Sequence, residues 1–131
     1  MKIVLDTNVI ISAIFFGGLP EQIIKCLFDG KFSVFASPQI VQEYLETYTA
    51  IHKKYADKGN SAVLQKIIEK STIIEPKHKI SICRDSDDDK FISCALEGKC
   101  LYIVSGDNDL LSLGKIENVE IITVSDFLKK I

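Results

Sequence analysis

The sequence predicts an α/β protein with a mostly parallel sheet covered on both faces. Short apolar runs of strand length alternate with longer segments whose apolar residues recur at helical spacing, which is the pattern of βα units. The strand-like run Ile3-Val4-Leu5 is continuously apolar, the type buried on both faces. Several runs end in polar, often acidic residues, and ligands of open α/β sheets bind at those carboxyl ends.

Ile3 to Leu5 is too short for a helix and reads as the first strand. Val9-Ile10-Ile11, Ala13-Ile14 and Phe15-Phe16 read as a short buried helix closed at Gly17-Gly18. Leu19-Pro20 opens a second helix carrying Ile23, Ile24, Leu27 and Phe28, and Gly30 stops it. Phe32 to Ala36 is the second strand. Ser37-Pro38 starts a third helix, because Ser caps and Pro suits the first helical position. That helix carries Ile40, Val41, Tyr44, Leu45 and Tyr48 on one face.

A polar stretch with Lys53, Lys54 and Lys58 precedes a helix bearing Val63, Leu64, Ile67 and Ile68. Thr72 to Glu75 is the third strand, broken by Pro76. The next helix begins in Asp85 to Asp89 and carries Phe91, Ile92, Ala95 and Leu96 before Gly98. Leu101 to Val104 is the fourth strand, Leu110 to Leu113 a brief helix, Val119 to Val124 the fifth strand, and Ser125 caps a last helix.

At 131 residues the chain suits one domain, residues 1–131. With 47% hydrophobic residues it can bury a core. A net charge of −2 does not advertise a nucleic-acid binder, although a metal-filled acidic site attracts phosphate. No apolar stretch has the roughly 20 residues of a membrane span, and no signal-peptide layout opens the chain, so a cytoplasmic protein without membrane contact is expected. Cys26, Cys83, Cys94 and Cys100 lack zinc spacing and read as free thiols. His52 and His78 have no partner at ligand spacing.

The acids carry the functional signal. Asp6 closes the first strand, and Asp107 and Asp109 follow the fourth. At about 100° per residue, Asp88 alone of its run lies on the core-facing side of its helix, with Asp87 and Asp89 about 90° or more away. Burying an unpaired carboxylate there is costly, which argues for a function. Glu43 lies about 130° from its helix's apolar stripe, so spacing alone makes it a surface acid.

Four ordered blocks then carry a resemblance: Val4-Leu5-Asp6-Thr7-Asn8-Val9; Ser37-Pro38 through Glu43-Tyr44-Leu45; Arg84-Asp85-Ser86-Asp87-Asp88-Asp89-Lys90-Phe91-Ile92; and Val104-Ser105-Gly106-Asp107-Asn108-Asp109-Leu110-Leu111. Together they resemble the PIN-domain proteins, close to the VapC-type toxin ribonucleases, over essentially the whole chain. The resemblance implies a three-layer α/β/α sandwich with a central, mostly parallel sheet. It implies acids that bind one or two Mg²⁺ or Mn²⁺ ions and cut single-stranded RNA. The family's four acids fall on Asp6, Glu43, Asp88 and Asp107, with Asp109 competing for the last place; Glu43 enters on this resemblance alone. Asn8 and Ser105 match supporting polar residues.

Hard divalent ions take carboxylate and water ligands, which suits this set, and no protein nucleophile is then required. The resemblance further implies a small antitoxin partner and a homodimer, with exposed faces of the early helices as interface. Lys53, Lys54 and Lys90 are candidates to hold the RNA backbone. The alternatives are a catalytically silent PIN-like domain and a receiver-like metal-binding module. A receiver wants an early acidic pair and an Asp after its middle strand. Here the early acid is single and the second strand ends in Ala36-Ser37.

Overall fold

The computed structural model describes residues 1–78 and 80–131. Among these residues six strands form one sheet: β1 (Lys2–Leu5), β2 (Ser33–Ala36), β3 (Thr72–Ile73), β4 (Tyr102–Val104), β5 (Lys115–Ile116) and β6 (Val119–Ile122), in the order β3-β2-β1-β4-β6-β5. All neighbours are parallel except β5 with β6. Helices lie on both sides, giving the expected α/β/α sandwich. The central strands are apolar on both faces because both are covered: Ile3, Val4, Leu5, Ile103 and Val104 are fully buried.

Helix α1 (Thr7–Phe15) is apolar nearly all round and lies in the core, with Val9, Ile10, Ile11, Ala13 and Phe15 buried. Its axis turns by 100° into α2 (Gly18–Phe28). The bend needs glycine, since Gly17 and Gly18 have φ of 73° and 71°. Ser37 caps α3 (Pro38–Lys54) by accepting from the Ile40 N–H at 3.3 Å. Asn60 caps α4 (Ser61–Lys70) in the same way. A 3₁₀ turn, Ser86–Asp88, leads into α5 (Asp89–Glu97), which packs across β1, β2 and β4. Short helices α6 (Asn108–Leu111) and α7 (Val124–Leu128) follow β4 and β6.

Four local expectations are corrected. The third strand stops at Ile73, although Ile74 N–H still donates to Ala36 O at 2.9 Å. The unforeseen β5 makes Val119–Ile122 the sixth strand; at two residues, β5 is too short for a periodic signal. Thr123 rather than Ser125 caps α7, accepting from Asp126 N–H at 3.1 Å. Leu45 is 49% exposed, because the inward face of α3 runs through Ile40, Tyr44, Thr47 and Ile51. That rotation of about 60° brings Glu43 to about 70° from the face's centre. Among the described residues, no single helix is long and apolar enough to cross a membrane.

Candidate active site

Leu5 at the end of β1 pairs with Val104 at the end of β4. Asp6 and Ser105 are therefore the next residues on adjacent strands, and both are buried. The backbone fixes them: Asp6 N–H donates to Val104 O and Ser105 N–H to Ile122 O, each at 3.0 Å. β2 and β3 extend the sheet beyond β1, whereas β6 and β5 extend it beyond β4. The reversal creates a crevice between β1 and β4. Asp6 opens into it from one strand and Asp107 follows the other.

Asp6 occupies the N-cap position of α1, yet its side chain makes no capping bond. One carboxylate oxygen instead accepts from Ser105 Oγ at 2.7 Å, and Ser105 Oγ in turn accepts from Asp107 N–H at 2.9 Å. Burial raises the Asp6 carboxyl above its ordinary range. Ser105 and the Thr7 N–H pull it back, and Glu43 and Asp107 push it up. Asp88 is pushed up to about 7 by burial, then by Asp107, Asp6 and Asp85, and by a hydrogen bond with Asp107. Asp6, Asp88 and Asp107 thus share one field. Asp107 also caps α6, accepting from Asp109 N–H at 3.4 Å.

Glu43 borders the cluster from α3. It accepts from the Thr7 hydroxyl and pairs with Lys90 Nζ at 2.6 Å. Lys90 donates also to Asp87 O at 2.7 Å, so it is held between α3 and the 3₁₀ turn. Lys90, one of the candidates to hold the RNA backbone, is paired with Glu43; Lys53 and Lys54 are exposed. Tyr44, fully buried, donates its hydroxyl to Leu5 O at 2.6 Å, tying α3 to the tip of β1. Burial first, then Cys94, Asp6 and Glu43, raise that phenol far above its usual range.

Asp109 and Asn8 border this centre on the side of Asp107. Both are exposed, on a groove of about 650 Å³ that also includes Ser12, Pro20 and Asp107. The acidic run is corrected at Asp89, which the helical wheel turned aside. Asp89 is 9% exposed and accepts from Ile82 N–H at 3.1 Å and Cys83 N–H at 2.8 Å. Burial works to raise its carboxyl, but hydrogen bonds from the Cys83 backbone, the Cys83 thiol and the Ile82 backbone outweigh it, and the value is lowered. The wheel failed because Ser86–Asp88 winds as a 3₁₀ turn, at about 120° per residue, and the α-helix starts only at Asp89.

Thr7, Tyr44 and the role of Lys90 were missed in the sequence. Each acts through a partner at least 36 residues away, and local spacing carries no trace of such a pairing. Among the described residues, no three His, Cys, Asp or Glu side chains come together closely enough to hold a metal ion. The donors that do face one another are carboxylate oxygens, the type that Mg²⁺ and Mn²⁺ take.

Residues 2–109 match the PIN domain. The chain belongs to the PIN-domain family. This PIN domain is similar to the uncharacterized protein MJ1680 of Methanocaldococcus jannaschii, 38% identical over 117 residues that span 86% of this chain and 75% of that protein. Its fold is like that of a chain of VapBC2 from Rickettsia felis, solved bound to a DNA fragment from the promoter: TM-score 0.64, 16% identity, 94% of this chain and 98% of that one. It is also like the PIN domain endonuclease Utp24: TM-score 0.55, 20% identity, 93% and 84% coverage. At these identities the structural likeness is one of fold. Family membership sets aside the receiver-like alternative.

Proposed function

We propose that this PIN domain is a metal-dependent endoribonuclease that cuts single-stranded RNA, the toxin of a toxin–antitoxin pair. One observation carries the reading: Asp6 just past β1, Asp107 just past β4 and Asp88 in the turn before α5 gather at the sheet's switch point, where burial first and then Asp107, Asp6 and Asp85 push Asp88 up to about 7. Such a cluster is unfavourable unless protons or cations neutralise it. Two proteins of like fold, the PIN domain endonuclease Utp24 and a VapBC2 complex bound to a DNA fragment, support the same direction.

Asp6, Asp88 and Asp107 would hold one or two Mg²⁺ or Mn²⁺ ions, with Glu43 as a further ligand. Mg²⁺ keeps several waters and takes one or two carboxylates, which suits acids that do not close into a cage. The bound ion would supply a Lewis acid for the phosphoryl group and an activated water. The chain's own part is to hold charge in place. Ser105 fixes the Asp6 carboxylate, and the Asp107 backbone fixes Ser105. Thr7 and Lys90 set the direction of Glu43. A small antitoxin and pairing of two copies belong to the proposal and are open to co-purification and sedimentation.

The test is cleavage of labelled single-stranded RNA with Mg²⁺, Mn²⁺ or EDTA, alongside Asp6→Asn and Asp88→Asn proteins of matched melting temperature. Metal-requiring cleavage lost in both variants is the expected result. Cleavage that survives in both would sink the assignment.

A further inference from the structure

We propose that the groove beside the acids continues along α1 to a base-stacking platform, Phe16 and Tyr55, which holds single-stranded RNA flanking the cut. This rests on the ribonuclease reading above and adds a subsite to it.

Helix α1 is mostly buried, and its exposed polar residues lie along one line. Asn8 is exposed and Ser12 half-buried, and Phe16, just past the helix end, is 56% exposed. Spaced four residues apart, these three share a face. Asn8 and Ser12 line the groove that holds Asp107 and Asp109, and Phe16 lies one turn further on. From Asn8 to Phe16 is about 12 Å at ~1.5 Å per residue. At ~3.4 Å per stacked nucleotide, Asn8, beside the acids' groove, and Phe16 are three or four nucleotides apart.

At its far end the line meets an aromatic and cationic surface. The Tyr55 ring stands edge-on to Phe16, with centroids 5.3 Å apart at 86°. Lys58 Nζ lies 5.6 Å from the Phe16 centroid and 5.7 Å from that of Tyr55. Residues 53–58 bring three lysines, Lys53, Lys54 and Lys58, against one acid, Asp57. Exposed π faces for bases beside cations for phosphates are the composition of a single-strand site. An apolar protein surface docked here would bury those ammonium groups without counter-charge, which is costly, whereas a phosphate backbone supplies it.

The platform is pre-formed. Lys58 N–H donates to Tyr55 O at 3.0 Å. The turn is pressed onto α3 at Gly59, where a Cβ would come within 2.6 Å of both Tyr48 Oη and His52 Cδ2. Tyr48 and His52 stack beneath it, 5.6 Å apart at 12°. The aromatic pair therefore needs little ordering when RNA arrives.

Fluorescence anisotropy tests this, with Asp88→Asn protein in Mg²⁺ as the non-cutting parent. The probes are single-stranded RNAs of about ten and about three nucleotides, long enough and too short to span the line at ~3.4 Å each. Phe16→Leu and Tyr55→Leu remove a π face and keep apolar bulk; Lys58→Gln removes a charge at an exposed position that folding tolerates. The aromatic variants are expected to weaken the longer RNA by about 5- to 100-fold and to leave the shorter one within about twofold. Lys58→Gln should flatten the salt dependence by about 0.7 in log–log slope. Unchanged affinity for the longer RNA in all three overturns the platform and leaves the nuclease reading intact. Equal weakening of both lengths also overturns it, since the contact would then lie at the acids. A dimer that dissociates in Phe16→Leu with RNA affinity unchanged would make the patch a self-association surface. RNA that no form of the protein binds or cuts removes the ribonuclease reading and the platform together.

Discussion

Ser105 donates its hydroxyl hydrogen to Asp6 at 2.7 Å across 99 residues of sequence, while its oxygen accepts from Asp107 N–H. One hydroxyl thus links the acids of β1 and β4. Ser105→Ala should leave Asp6 buried without that donor and raise its carboxyl further. The expected cost is about 1–3 kcal/mol of stability, and about 10- to 100-fold in metal affinity or cleavage. Calorimetric metal titration and thermal unfolding check this; an unaltered metal affinity would mean that Asp6 does not depend on its partner.

The sign of the pH dependence follows from Asp88 and Asp6. Both are raised in the folded chain relative to an ordinary value of 3.8, Asp88 to about 7. The folded state then holds protons that the unfolded state has released. The stabilisation is complete below about pH 4 and is lost as pH rises through about 7. Asp88 is partly exposed, so screening reduces the effect to roughly 1–2 kcal/mol. Asp89, lowered, acts oppositely and only at more acidic pH. Metal-free protein should therefore melt several degrees lower at pH 7.5 than at pH 4.5, and Mg²⁺ or Mn²⁺ should reverse the loss. A melting temperature that climbs over that interval without metal would contradict the clustered acids.

Lys90 and Glu43 form a partly buried pair, with side chains 15% and 29% exposed. Removing either partner strands the other's charge, so Lys90→Met and Glu43→Gln should each cost about 1–3 kcal/mol. The double variant should cost less than their sum, with a coupling of about 0.5–3 kcal/mol in chemical denaturation. Strict additivity would show that the pair carries no energy.

Two neighbouring acids should separate cleanly. Asp89→Ala removes the acceptor for Ile82 and Cys83 N–H and should destabilise by about 2–4 kcal/mol. Asp87→Ala, at an exposed side chain, should stay within about 0.5 kcal/mol. Urea unfolding of the two proteins tests the distinction, and equal values would refute it.

The centre of the sheet was legible because β1 and β4 are apolar on both faces and each is followed at once by a polar residue, Asp6 or Ser105, so each signal is local. Asp6 and Asp107 could be read as strand-end acids for the same reason. Asp88 and Asp89 could not be sorted reliably, because the wheel assumed α-helical steps through a 3₁₀ turn. Glu43 was invisible to spacing: Thr47 and Ile51, not Leu45, complete the inward face of α3, and a weakly apolar Thr does not register as core. Thr7, Tyr44 and Lys90 join through tertiary pairs, which no one-dimensional period encodes.

Both outer strands of the sheet, Thr72–Ile73 and Lys115–Ile116, are only two residues long. So brief a border offers almost no ladder of free amide and carbonyl groups for a foreign strand to zip onto. Crowded copies of the chain are thereby spared edge-to-edge aggregation. An inhibitor of the proposed nuclease would accordingly grip side chains and grooves, because the described edges offer little template for β-augmentation.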